Sequence, residues 1–328
     1  MDDVAIAASV SRALVSLVMR DSPRVSASSR VAVMDAATRL GYRPNLMARN
    51  LAARRTNTIG LLLNDLHNPW YADIADGIHS AADANGYQVI LASGRRSAAF
   101  ESRAIDTFLA SRVDGVIVTG CRLPARRLTA VAAEVPVVSV GRTMRASLVG
   151  TVCTDDAVGA RLAVRHLHSL GHRRIAHIDG GVGAGSAPRR AGYTAAMREL
   201  GLTDAARVIT GDFTEQAGAA AVAHMLRGGQ APTAIFAAND LSAIGAIDEL
   251  ERRGLDVPGN VSVIGYDNTA LAALNHIGLS TIDQPRLSMG AAAAAMLFAA
   301  LNEGLDLHNI SMAPHLVVRA TTATITAP

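Results

Sequence analysis

The chain has 328 residues, half of them hydrophobic, 3% aromatic, and a formal net charge of +3. That length exceeds the roughly 100–200 residues of one typical domain, and any core has to be built from Ala, Val, Leu and Ile. Two cysteines, Cys121 and Cys153, exclude a disulfide framework. The longest apolar run, Ala291–Leu301, is about half of what spans a bilayer.

The charge is unevenly placed. The first 55 residues carry nine arginines against four acids, a net of +5, while the other 273 sum to −2. A small basic head on a near-neutral body is the layout of a nucleic-acid reader joined to something else, although targeting segments and solvated faces share it. All 31 basic residues are arginine, which reads as a genome-wide compositional bias. The chain opens Met-Asp-Asp, without a basic segment before an apolar one, so the expectation is a soluble, cytoplasmic, nucleoid-associated protein with no membrane partner.

Residues 3–41 predict three short helices. These are Asp3–Ala8, Ser11–Met19 and Ser28–Leu40, with apolar stripes at Val4 and Ala7–Ala8, then Leu14, Val15 and Val18, then Val31, Met34 and Leu40. Ser11 and either Ser26 or Ser28 are N-cap candidates, and Gly41 is a helix stop. Two helices around a tight turn at Ala8-Ser9-Val10 form a helix-turn-helix, or else a generic helical hairpin. In the first case the second helix lies in the major groove. Val15 and Val18 then face inward, and Arg12, Ala13, Ser16 and Leu17 face outward. Arg12 is the candidate for a bidentate contact to guanine, and Ser11 and Ser16 for phosphate contacts. Pro44-Asn45 breaks the chain, Leu46–Ala53 restarts as a brief helix, and Arg54–Asn57 is a linker.

From Thr58 the pattern alternates strand and helix. TIGLLL, YQVILA, GVIVTG and PVVSV form one series, and RRIAHIDG, RVITGD, TAIFAAND and VSVIGYD a second. Short apolar β runs separated by helices predict parallel βαβ units. The stretch from Arg142 to Thr154 breaks the rhythm, which predicts two α/β lobes. Polar residues follow the strands at Asn64 and Asp65, Asp179, Gly211-Asp212-Phe213, Asn239-Asp240 and Asp267-Asn268. Ligands of open α/β sheets sit at such carboxyl ends. Each of these residues can equally cap the helix that follows; together they predict a shared cleft.

The head followed by LGYRPNLMARNLA resembles the DNA-binding region of LacI-type transcription regulators. HNPWYADIADGI, HLHSLGHRRIAHIDG, RRAGYTAAM, AIFAANDLSAIGAI, VSVIGYDN and STIDQP are similar to that family's core, in the family's order. The resemblance runs from about Asp3 to Arg319. It implies an N-terminal all-α helix-turn-helix domain (1–43), a hinge helix and linker (44–57), and an α/β periplasmic-binding-protein-like core (58–328). The core would hold two parallel-sheet lobes, 58–154 with 286–313 and 155–285 with 314–322. It further implies a homodimer on a palindromic double-stranded DNA operator, controlled by a small-molecule effector, a sugar or alternatively a purine or nucleoside, and acting as repressor or activator. Leu51 matches the hinge leucine that wedges into a minor-groove step, unless it packs on the core. Asn45, Ala48 and Arg49 would contact DNA beside it. Trp70 and Phe213 match aromatic effector contacts, although a lone Trp is often core. Arg189, Asn239 and Asp267 match polar effector contacts, and Gln284, Asn64 and Asp65 complete the expected set.

Several positions depart from the family pattern. Ser9 stands in the turn where glycine is usual, Leu17 where arginine is common, and Leu14 where threonine is. Asp2 would have to cap the first helix. His166, His168 and His172 cluster, but positions two apart on a helix face different sides, so no metal site is expected. No phosphate loop, nucleophile elbow or metal-spaced Cys/His set appears. The expectation is therefore no enzyme and no cofactor; a transporter's solute-binding protein shares the core architecture but not the basic head.

Overall fold

The computed structural model describes residues 1–19, 22–42, 55–144, 148–227 and 231–325. The chain divides into two units, Met1–Thr56 and Asn57–Pro328.

Among the described residues the first unit has three helices: α1 (Asp2–Ala7), α2 (Arg12–Met19) and α3 (Ala27–Arg39). Its core is Val4, Ala5, Val15, Val18, Val33, Ala36 and Ala37. Three expectations need correction. The buried face of α3 is Val33, Ala36 and Ala37, whereas Val31, Met34 and Leu40 are exposed. Alanine at i+3 and i+4 from Val33 lets the helices approach closely, so small residues define the inner face. In α1 Ala5 is buried and Ala7 exposed. Asp2 is not the cap either: it sits inside the first turn, after Met1, which makes no side-chain cap bond.

The caps further on are side-chain oxygens. Ser11 Oγ accepts from the Leu14 N–H at 3.2 Å, and Ser26 Oγ from the Ser29 N–H at 3.2 Å, each supplying a partner to an orphan N–H. Ser9 holds φ +54 in the turn between α1 and α2, the left-handed conformation that a side chain adopts at a cost.

The second unit holds two parallel sheets. In the first, β1 (Thr58–Leu63), β2 (Gln88–Ser93), β3 (Gly115–Thr119), β4 (Val137–Val140), β5 (Val149–Thr154) and β11 (Asn309–Met312) lie in the order β11-β5-β4-β3-β1-β2. The stretch that broke the rhythm thus contains β5, whose neighbours are β4 and β11. Helices α4 (Pro69–Ala84), α5 (Ala98–Ala110), α6 (Ala125–Ala132) and α11 (Arg286–Glu303) flank this sheet. Two separate apolar clusters lie against it, as a sheet buried on both faces requires. Helices α4 and α11 cross closely: a Cβ at Gly77 would stand 2.2 Å from the Leu287 carbonyl oxygen, and one at Gly290 2.2 Å from that of Ile74.

The second sheet contains β6 (Ile175–Ile178), β7 (Arg207–Ile209), β8 (Ala234–Ala237) and β9 (Ser262–Ile264), in the order β7-β6-β8-β9. Helices α7 (Asp156–Ser169), α8 (Ser186–Glu199), α9 (Glu215–Arg227) and α10 (Asp240–Arg252) accompany it. An antiparallel ribbon of β10 (Thr281–Asp283) and β12 (His315–Val317) adjoins it through the Ile264–Ser280 and Asp267–Asp283 bridges. The chain passes between lobes three times, from β5 to α7, from β10 to α11 and from β11 to β12. The carboxyl ends of both sheets therefore face one cleft. Among the described residues no helix is long and apolar enough to cross a membrane.

Candidate functional site

One wall of the cleft comes from the first sheet. Asn64, Asp65, Asn68, Trp70 and Tyr71 follow β1, Arg96 follows β2, Gly120 and Arg122 follow β3, and Gly141 follows β4. The other wall is Ala184, Arg189, Asp212, Phe213 and Asp267. Together they surround about 530 Å³ of empty space, including the mouth open to solvent.

Trp70 follows the Asn68 cap and Pro69 at the start of α4, so its position is set by the helix N-terminus. Its ring meets Tyr71 edge-on at 4.9 Å, and Gly141 leaves room for it: a Cβ there would lie 2.6 Å from the ring. Opposite, Phe213 takes φ +71 in the loop after β7 and lies against Gly180 and Gly183. The rings of Trp70 and Phe213 thus line opposite walls.

Arg189 is the polar centre. Its Nε donates to Asp156 Oδ1 at 2.8 Å and its Nη1 to the Ala238 carbonyl at 2.5 Å, and Asp267 Oδ1 is 3.8 Å from Nη1. The guanidinium lies 3.8 Å from the centre of the Tyr266 ring. Burial works against its charge, and Asp156, with Tyr266 and Asp267, more than restores it. Burial likewise pushes the Asp267 carboxyl well above the usual carboxylate range, against the pull of Arg189. Asp267 adopts φ +121, a conformation costing about 1–3 kcal/mol that persists where surrounding contacts dictate it.

Gln284 and Asn239 stand behind this surface. Gln284 Nε2 donates to Asp267 Oδ1 at 2.6 Å, and its Oε1 accepts from Thr154 at 3.0 Å. Asn239 caps α10 through a capping box with Ser242, and its Nδ2 donates to the Phe213 carbonyl at 3.1 Å. Both residues hold a lining residue in place and neither lines the cleft. Asp179 is also turned to structure: it accepts from the Gly181 and Gly211 N–H groups and pairs with Arg190 at 2.6 Å. Asp240 accepts from Thr269 and Thr281.

Asp65 Oδ1 accepts from the His67 N–H at 3.0 Å. Asn64 Nδ2 donates to Tyr71 Oη at 3.2 Å, and burial pushes that phenol up to about 12. Asn64 Oδ1, Trp70 Nε1 and Arg122 Nε are buried with no hydrogen-bond partner among the described residues. Unpaired buried polar atoms are costly unless something binds them. An acceptor, an indole donor and a guanidinium donor are thus available to hydroxyl or charged groups entering the cleft. Tyr71, Arg96, Arg122 and Asp156 were not anticipated from the sequence. Position relative to strand ends could have marked Arg96 and Arg122, since each lies within three residues of one.

Catalytic chemistry has little to work with here. Burial pushes the Cys153 thiol up to about 11 and that of Cys121 higher still. His166 bonds Thr322, and His172 bonds Thr233, Ser262 and the Ala323 carbonyl. No cluster of three metal-ligating side chains occurs among the described residues.

On the head, Ser11, Arg12, Ala13 and Leu17 are exposed and Ser16 is half-buried. Arg12 Nε lies 3.6 Å from Asp2, with both side chains 70% exposed, so little holds the guanidinium there. The candidate contacts Asn45, Ala48, Arg49 and Leu51 lie outside the described residues.

Residues 1–45 match the family described as bacterial regulatory proteins, lacI family, and residues 56–317 match periplasmic binding proteins and sugar binding domain of LacI family. Catabolite control protein A of Priestia megaterium is 34% identical over 319 residues, 96% of each chain. A lac repressor dimer bound to operator and the anti-inducer ONPF superposes with a TM-score of 0.88 at 30% identity, covering 98% of each chain. A complex of the transcriptional regulator CelR with cellobiose gives 0.74 at 31% identity, covering 98% of this chain and 99% of that one.

Proposed function

Since the chain belongs to the lacI family of bacterial regulatory proteins, DNA-binding transcription regulators and not enzymes, we propose that it represses a carbohydrate-use operon under control of a sugar bound between its lobes. The observation that carries this reading is the Arg189–Asp267 pair, with Phe213 beside it, facing Trp70 across the cleft. Arginine and carboxyl groups make paired hydrogen bonds to vicinal hydroxyls, and aromatic faces cover the apolar side of a sugar ring.

In the proposed mechanism two copies bind a palindromic operator, as the lac repressor dimer binds its own. Arg12 reads a base, Ser11, Ala13, Ser16 and Leu17 lie along the groove, and Leu51 wedges into the minor groove beside Asn45, Ala48 and Arg49. Sugar bound in the cleft favours one angle between the lobes, and segment 44–57 passes that preference to the heads. The effector acts only through its differential affinity for the two states. A purine or nucleoside is the second reading, favoured by the two aromatic faces that line the cleft, and activation in place of repression is compatible with the same parts.

A thermal-shift screen of sugars and nucleosides, followed by operator binding with each hit, tests this. A sugar that raises Tm and changes operator affinity is the expected result; a response to nucleosides alone would replace the sugar reading with the second one. For the DNA-reading part, Leu51→Ala should weaken operator binding far more than non-specific binding, and equal losses would remove the wedge assignment.

A further inference from the structure

We propose that the effector carries an anionic group, a carboxylate or phosphate on a polyhydroxy body, and that Arg122 binds it. This rests on the reading of the cleft as the effector site.

The turn Cys121–Leu123 follows β3 and is clamped from two sides. Glu101, fully buried in α5, accepts the Arg122 N–H at 2.9 and 3.1 Å, the Leu123 N–H at 3.0 Å and the Cys121 thiol at 3.3 Å. Arg142 Nη1 donates to the carbonyls of Cys121 at 3.0 Å and Leu123 at 2.5 Å. Burying a carboxylate is costly unless it is well bonded, and here its bonds fix the backbone that presents Arg122.

The guanidinium itself is left over. Glu101 is taken up by backbone and thiol donors, Arg122 Nε is buried without a partner, and Arg122 has no ion pair among the described residues. The neighbouring cations are committed elsewhere. Arg96 bonds the Asp212 carbonyl at 2.7 Å and carboxylate at 3.0 Å, and Arg189 bonds Asp156 at 2.8 Å. Burial also favours the neutral form of Asp267, which weakens the opposition of that carboxyl to an incoming anion. A planar guanidinium on a fixed turn suits bidentate binding of a carboxylate or phosphate. The rest of the cleft, lined by Trp70, Phe213 and Arg189, remains for the hydroxylated body.

Trp70 is the only tryptophan of the chain and lies in the same cleft, so its fluorescence reports occupancy. The full-length protein is titrated with neutral hexoses, their uronates and their 6-phosphates, with inorganic phosphate as the bare anion. The expected result is an anionic member binding at least ten-fold more tightly than its neutral counterpart, with Arg122→Gln abolishing that preference and Arg122→Lys keeping part of it. The uronate and phosphate arms distinguish the two anions. A neutral hexose binding as tightly as its anionic forms, an Arg122→Gln variant with wild-type anion affinity, or silence from the whole panel would overturn the inference. A neutral hexose that binds the wild type as tightly as its anionic forms, with Arg122→Gln changing neither, removes the anion alone and keeps the cleft. Binding that survives Arg189→Ala removes the cleft reading itself.

Discussion

Arg189 Nε donates to Asp156 Oδ1 at 2.8 Å, and both side chains are at least nine-tenths buried. Asp156 opens α7, the first helix after the chain leaves the first sheet, while Arg189 sits in α8 of the second lobe. The pair therefore ties a crossover segment to the wall of the cleft, and the same guanidinium faces Asp267. A ligand that draws on Arg189 acts at a point where lobe geometry and binding share one residue.

Arg189→Ala should abolish effector-induced stabilisation and lower stability by about 3–5 kcal/mol, the usual cost of stranding one member of a buried pair. Burial already raises the Asp156 pKa against the pull of Arg189, so removing the guanidinium raises it further. A carboxyl whose folded pKa lies above its unfolded value loses stability as pH rises. The deficit of the variant should accordingly be larger at pH 8 than at pH 5, and Asp156→Ala added to it should recover part of the loss. Thermal unfolding at the two pH values checks both points; a deficit independent of pH would show that Asp156 is not the stranded charge.

Gly180→Ala isolates the aromatic wall. A Cβ at Gly180 would stand 2.0 Å from the tip of the Phe213 ring, and Gly180 has no left-handed φ to add a backbone penalty. The ring has to leave its seat, at a cost of about 1–3 kcal/mol for an overpacked site. Affinity for the sugar that most stabilises the wild type should fall about ten-fold. Calorimetric titration of that sugar measures it, and unchanged affinity would place Phe213 outside the ligand contact.

Placement at the cleft was most legible in segments tied to strand ends and helix starts. Trp70, Arg189, Phe213 and Asp267 were legible because each occupies a recognisable segment beside a strand or helix start. Asn239 occupies such a segment too, yet its side chain is consumed by the α10 cap, which a one-dimensional pattern cannot separate from ligand binding. Arg122 was hidden because arginine supplies all 31 basic residues, so its type carries no signal; what distinguishes it is the Glu101 clamp, made twenty-one residues earlier in the chain. Asp156 reads as one more acid in a helix's first turn, and only the fold reveals Arg189 beside it. In α3 the inner face is alanine, which hydropathy alone ranks below the exposed Val31 and Met34.

Ser9→Gly should stabilise the head. Ser9 holds φ +54, where glycine avoids the steric cost of Cβ but loses more chain entropy on folding, leaving a net gain of about 0.5–1 kcal/mol. Slower hydrogen exchange at the α2 amides of Val15 and Val18 is the expected signature. Faster exchange would mean that Ser9 contributes something beyond its backbone conformation.

His177 sets an acid limit on the second lobe. It is fully buried in β6, its ring stacks on Phe236 at 4.5 Å and Tyr193 at 5.1 Å, and its Nδ1–H donates to the Phe236 carbonyl at 2.9 Å. Burial pushes its pKa from the ordinary 6.5 down to about 4. Between those values the unfolded chain binds the proton and the folded chain does not, so this stabilisation is complete above pH 6.5 and is lost as pH falls to 4. At ~1.4 kcal/mol per unit the loss is roughly 3 kcal/mol. Asp240 runs the other way: burial raises it to about 6, so its contribution is greatest at low pH and lost as pH rises through 6. Subtracting the stability profile of His177→Phe from that of the wild type removes Asp240, which both proteins share. The difference should slope across pH 4–6.5 and flatten above it; parallel profiles would mean that His177 titrates alike in the folded and unfolded chains.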